Sequence, residues 1–111
     1  MIHSIPSIEA RICQIQQELA TLGDFRVGSL SEQFNVCGTP NCKCKADPPE
    51  KHGPYYRLNF TRKGKSHTRS IRIADVDIVK QQVDNYRQFK DLVDEWVGLA
   101  SELSALRLKQ D

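Results

Sequence analysis

Residues 55–73 read YYRLNFTRKGKSHTRSIRI, and they decide the fold. Two runs of alternating apolar and polar side chains flank RKGK, where Gly64 can supply the positive φ of a tight hairpin. Tyr56, Leu58 and Phe60 fall on one face, and Ile71 and Ile73 can join them. Tyr55, Arg57, Asn59 and Thr61 share the other face, with Ser70 and Arg72 expected opposite them. The alternation does not fix the register, but it predicts a sheet that is apolar beneath and basic on top. Upstream, SLSEQFNV (residues 29–36) puts Leu30, Phe34 and Val36 at even positions and supplies a third strand.

Outward from the hairpin the period changes from two to three and four. Val76, Val79, Val83 and Tyr86, then Phe89, Leu92, Trp96, Leu99, Leu103 and Leu106, form one helical stripe behind a capping Asp75. Roughly 30 residues of helix extend some 45 Å, more than so small a domain covers alone. On the other side Ile8, Ile12, Ile15, Leu19 and Leu22 make a second stripe, with Ser7 as N-cap and Gly23 at C′. Cys13 sits beside it and reads as a small half-buried hydrophobe. The expectation is one α+β domain over residues 1–111: a helix at 7–22, a zinc-binding β region at 28–73, and a long helix at 75–109. The β region is a three-stranded antiparallel sheet with an inserted zinc loop. The long seam points to a homodimer, a coiled coil or bundle to which the first helix adds.

The zinc loop rests on VCGTPNCKCKADPPEKHGPYY (residues 36–56). Cys37, Cys42, Cys44 and His52 follow the pattern C-x4-C-x-C-x7-H among turn-forming Gly and Pro residues. Three thiolates and one imidazole would close a tetrahedral, structural Zn2+ site with no position open for substrate. The spacing matches no common finger or ribbon. A Cys42/Cys44 or Cys37/Cys42 disulfide, and unligated thiols, are the competing readings. The N-terminus has neither a basic region nor a continuous apolar run, and no stretch is long and apolar enough for a bilayer. The expected setting is therefore the cytoplasm, where thiolate ligation is favoured over disulfides.

The net charge of +2 hides a strong polarity along the chain. Residues 43–73 carry nine Lys or Arg against Asp47 and Glu50, while both flanks are acidic. Lys43, Lys45, Arg57, Arg62, Lys63, Lys65, Arg69 and Arg72 are the candidate phosphate contacts, with Tyr55, Tyr56 and His67 interleaved. A two-stranded ribbon of this kind can enter a groove of DNA. The bland alternative is a sheet edge kept from aggregating by its cations. A coiled-coil adaptor for a partner protein is the competing function, but it has no need of so many cations in one segment.

Catalytic readings are weak. RKGKSHT ends like a phosphate-binding loop, but that motif's first glycine would stand where Asn59 does, and no helix follows. Asn59-Phe60-Thr61 is a glycosylation sequon that a cytoplasmic chain does not use. Tyr55 and Tyr56 suggest a tyrosine recombinase, but the chain is too short for the rest of such a site. Cys37 as nucleophile would need His52 as base rather than ligand. The chain is not expected to be an enzyme.

GSLSEQFNVCGTPNCKCKADPPEKHGPYYRLNFTRKGKSHTRSIRI (residues 28–73) and VDNYRQFKDLVDEWVGLASELSAL (residues 83–106) together resemble a family of small prokaryotic proteins of uncharacterised activity. The shared features are the cysteine cluster, H-G-P-Y, a basic hairpin with a G-K turn, and a helix opening on N-Y-R. The resemblance spans about residues 28–106 and leaves the first helix outside. It implies the zinc ligands and a mobile-element setting, near a transposase or recombinase, and no mechanism.

Overall fold

The computed structural model describes residues 4–35, 42 and 51–110. Its elements are α1 (Ile5–Thr21), β1 (Ser29–Asn35), β2 (His52–Arg62), β3 (Lys65–Ile71), a 3-10 turn (Ile73–Asp75) and α2 (Val76–Gln110). The fold is α+β, and the three strands form one antiparallel sheet in the order β1-β2-β3. Among the described residues no helix is long and apolar enough to cross a membrane. The chain divides into a helical unit (Met1–Asp24, Asp84–Asp111) and a sheet unit (Phe25–Val83).

In the sheet unit, Lys63 (φ 52°) and Gly64 (φ 76°) both hold positive φ, the signature of a two-residue hairpin turn whose twist matches the strands. That turn makes Arg62 and Lys65 the first pair and so fixes parity: Phe60 faces His67, Leu58 faces Arg69, and Tyr56 faces Ile71. On β1, Leu30 faces Leu58. Leu58 is 1 % exposed and forms a core with Val79 and Val83 of α2, to which Leu30, Phe60 and Ile71 add. Ile73, expected in this core, stands 70 % exposed in the 3-10 turn beyond the end of β3.

The first strand departs from its alternation at its end. Gln33 faces Tyr55 while Asn35 faces His52, so β2 carries one extra residue there and bulges. Gly53 sits in the bulge at φ 142°, and a Cβ on it would come within 2.8 Å of the Gln33 carbonyl and 2.9 Å of Phe34 Cδ1. Phe34, at an even position like the Leu30 that faces Leu58, is 51 % exposed. Val36 lies outside the described residues.

In the helical unit, α1 begins earlier than its apolar stripe suggested. Ser4, not Ser7, is the N-cap: its hydroxyl accepts from the Ser7 amide at 3.3 Å, and Pro6 lies in the first turn, where a missing amide costs nothing. Leu22 ends the helix in extended conformation, so Gly23 is not a left-handed terminator. Gly23 instead lies against Asn85, whose Nδ2 donates to the Asp24 carbonyl at 2.8 Å; a Cβ there would sit 3.2 Å from that nitrogen. Ile8 and Ile15 of α1 and Leu92 and Leu103 of α2 are the unit's buried apolar side chains. Cys13 is exposed rather than half-buried.

Asp75 ends the 3-10 turn directly before α2, and its carboxylate accepts from Arg72 Nε at 2.9 Å.

Candidate nucleic-acid interface and metal site

Parity sorts the hairpin cations. Directly opposed residues share a face, so Arg62, Lys65 and Arg69 lie on the same side of the ribbon as Leu58. Arg57, paired with Ser31 and Ser70, lies on the other. The expected division into an apolar underside and a basic top is therefore corrected. The outer face is chiefly hydroxyl and amide: Ser29, Ser31, Gln33, Tyr55, Asn59, Thr61, Ser66, Thr68 and Ser70 surround Arg57. There Thr68 Oγ1 donates to Asn59 Oδ1 at 2.9 Å. The apolar inner face gives way to charge towards the hairpin tip, past the stacked Phe60 and His67 rings 5.0 Å apart.

Arg57, Arg62, Lys63, Lys65 and Arg69 are exposed and have no ion pair among the described residues. Arg11, Arg87 and Arg107 on the helices do have carboxylate partners. Among the described residues, Arg72 is the hairpin candidate with an ion pair, to Asp75. Lys43 and Lys45 lie outside the described residues.

Two open clefts border this surface. One, of about 340 Å³, is lined by Tyr55, Tyr56, Arg57, Ser70 and Arg72. Tyr55 is 47 % exposed and presents an aromatic surface beside two guanidinium groups. The other, of about 490 Å³, brings Arg26 to Arg69 and Arg72. Arg26 was not among the residues expected here. It stands far from the basic segment in sequence, and only the folded chain brings it beside residues 69–72.

Of the four expected zinc ligands, Cys42 and His52 are described, and Cys42 Sγ lies 3.1 Å from His52 Nε2. His52 is the first residue of β2, the central strand, and faces Asn35 across the bulge. In a tetrahedral Zn2+ site the sulfur–nitrogen separation is about 3.6 Å, from ordinary zinc–ligand lengths. Cys37 and Cys44 lie outside the described residues, and among the described residues no group of three His, Cys, Asp or Glu converges. The donor types are ones that zinc takes, while at 3.1 Å the two atoms stand at hydrogen-bond distance, closer than a shared ion would hold them.

No curated protein matches the chain, and no solved structure matches it. One family model does, across residues 5–81. That match takes in α1, which the resemblance had left outside, and ends within the first turns of α2. The chain belongs to the family described as Domain of unknown function (DUF6788).

Proposed function

We propose that this chain is a zinc-stabilised nucleic-acid-binding protein, with DNA the favoured ligand. The observation that carries the reading is the set of exposed cations on one hairpin that have no ion pair among the described residues: Arg57, Arg62, Lys63, Lys65 and Arg69. Exposed charges of this kind add little to stability, but each can neutralise a phosphate and release a counterion. Tyr55 and the amide and hydroxyl face around Arg57 add surfaces that could stack on or hydrogen-bond to bases.

Zinc would be held by Cys37, Cys42, Cys44 and His52, and it would tie the segment before β2 to the start of that strand. The protein would act as a homodimer. The helical unit supports this with an open groove lined by Ile12, Trp96, Leu103 and Leu108, the last 73 % exposed. With the mobile-element setting that the resemblance implies, the role is an accessory or regulatory factor beside a transposase or recombinase.

Mobility shifts on duplex DNA, single-stranded DNA and RNA at rising salt test the reading. Binding that weakens steeply with salt is the expected result. No binding of any nucleic acid at low salt would leave the coiled-coil adaptor, with the helical groove as the functional surface.

A further inference from the structure

The geometry points to a phosphate seat in the cleft of about 490 Å³ that Arg26, Arg69 and Arg72 line. The seat rests on the nucleic-acid reading for the source of its phosphate, not for its chemistry. Arg26 is half-buried and doubly fixed to α2: its amide donates to the Gln82 carbonyl at 3.0 Å and its Nε to Gln82 Oε1 at 3.1 Å. That leaves its terminal amino groups to reach a ligand. Arg72 spends its Nε on Asp75 at 2.9 Å and keeps its terminal groups too. Arg69 has no ion pair at all among the described residues.

Three guanidinium groups around one cleft, offset by the single carboxylate of Asp75, leave a net charge of +2 there. The planar fork of guanidinium matches phosphate oxygens in pairs, which an ammonium group does not. The rest of the lining comes from the segment Ser70–Ile71 and from Ile78, Val79 and Gln82 of α2. The chemistry selects a phosphate monoester or diester. A nucleic-acid backbone would leave its phosphate here as the strand passes Arg72, which also lines the neighbouring cleft beside Tyr55.

The test is an NMR titration of the full chain with inorganic phosphate at constant ionic strength, followed through amide and arginine Nε–H signals. Saturable shifts at Arg26, Arg69 and the Ser70–Arg72 amides are expected. Arg69→Gln, which removes a side chain without an ion pair, should weaken phosphate binding at least tenfold. Arg26→Gln should do the same, while Arg62→Gln, outside the cleft, should change it less than twofold. Equal losses in Arg62→Gln and Arg69→Gln, or no shift in the cleft, would overturn the seat. Oligonucleotides with and without a 5′-phosphate separate the sources: tighter binding of the first places a chain end here, equal binding a backbone phosphate. Phosphate bound in the cleft without any nucleic-acid binding keeps the seat and removes the nucleic-acid reading. Nucleic-acid binding unchanged in both Arg69→Gln and Arg26→Gln, with no phosphate bound, does the reverse.

Discussion

Arg11 grips Glu95 with two parallel bonds, Nε to Oε2 at 2.6 Å and Nη2 to Oε1 at 2.7 Å, and so ties α1 to α2 within the helical unit. The hydrogen bond from Arg11 holds the Glu95 carboxyl below its ordinary range, and the same bond raises the guanidinium. A depressed folded-state value means that the pair's contribution is present above the unfolded carboxylate value, near about 4.3. It is lost as pH falls through the folded value. The pair is exposed, so the effect is small and screened by salt. Glu95→Gln should lower the melting temperature slightly at pH 7 and low salt, and the difference should fade as both proteins are acidified through the carboxylate range. A deficit of the same size at pH 7 and pH 3 would mean that the pair contributes through packing rather than charge.

Leu58 carries the sheet unit's core. It is 1 % exposed and packs with Val79 and Val83. Leu58→Ala should cost about 2–5 kcal/mol, the usual range for a buried leucine that leaves a cavity. Ile73→Ala, at a residue 70 % exposed, should stay within about 0.5 kcal/mol. Urea denaturation measures both; a larger loss at Ile73 than at Leu58 would show that the core lies elsewhere.

Which parts of this were legible in the sequence follows from what each pattern encodes. Alternation in residues 56–60 marked the core face, because a strand repeats every two residues whatever its partner. It could not assign the cations of β3, since that needs the register. The register comes from Lys63 and Gly64 both adopting positive φ. Phe34 obeyed the alternation on paper but lies where the β2 bulge breaks the pairing. Ser4 was missed because a cap precedes the apolar stripe, and Ser7 offered the same hydroxyl three residues later. Arg26 left no local signal at all: its companions Arg69 and Arg72 are long-range neighbours. Of the proposed zinc ligands, Cys42 and His52 lie together, and Cys37 and Cys44 fall outside the described residues.

If zinc is bound by Cys37, Cys42, Cys44 and His52, the purified protein should carry one equivalent by elemental analysis. Cys42→Ser should lose the metal and loosen both strand ends next to it, since ligation free energy is folding free energy in such sites. Cys13→Ser, at an exposed thiol, should change neither. Full zinc content in His52→Ala would remove His52 from the ligand set and make His67 the next residue to test.

Assembly turns on the helical groove. Trp96 is half-buried beside Leu103, and Leu108 is exposed at its rim. If a second copy covers this groove, Trp96→Ala should weaken the dimer by about 2 kcal/mol or more, as for a central aromatic anchor. Light scattering across a dilution series reads the change. A wild-type monomer at tens of micromolar would rule the dimer out.

If nucleic acid binds along the hairpin, variants can separate the roles of its cations, which differ in placement. With about four to six phosphates neutralised per protomer, the log–log salt slope on duplex DNA should be roughly −4 to −5. Lys63 and Lys65 sit at and beside the turn, without ion pairs among the described residues, so neutralising both should shallow the slope by nearly two units and leave zinc content and melting unchanged. Arg57 and Arg69 occupy opposite faces of the ribbon, so a groove that receives one face cannot treat them alike. If the outer face enters, Arg57→Ala should cost about 1–3 kcal/mol on a preferred sequence and less on others. Arg69→Ala should then weaken all sequences evenly, as a phosphate contact does. The opposite pattern would turn the ribbon over. Unchanged affinity in the Lys63/Lys65 double variant would move the binding surface off the hairpin tip.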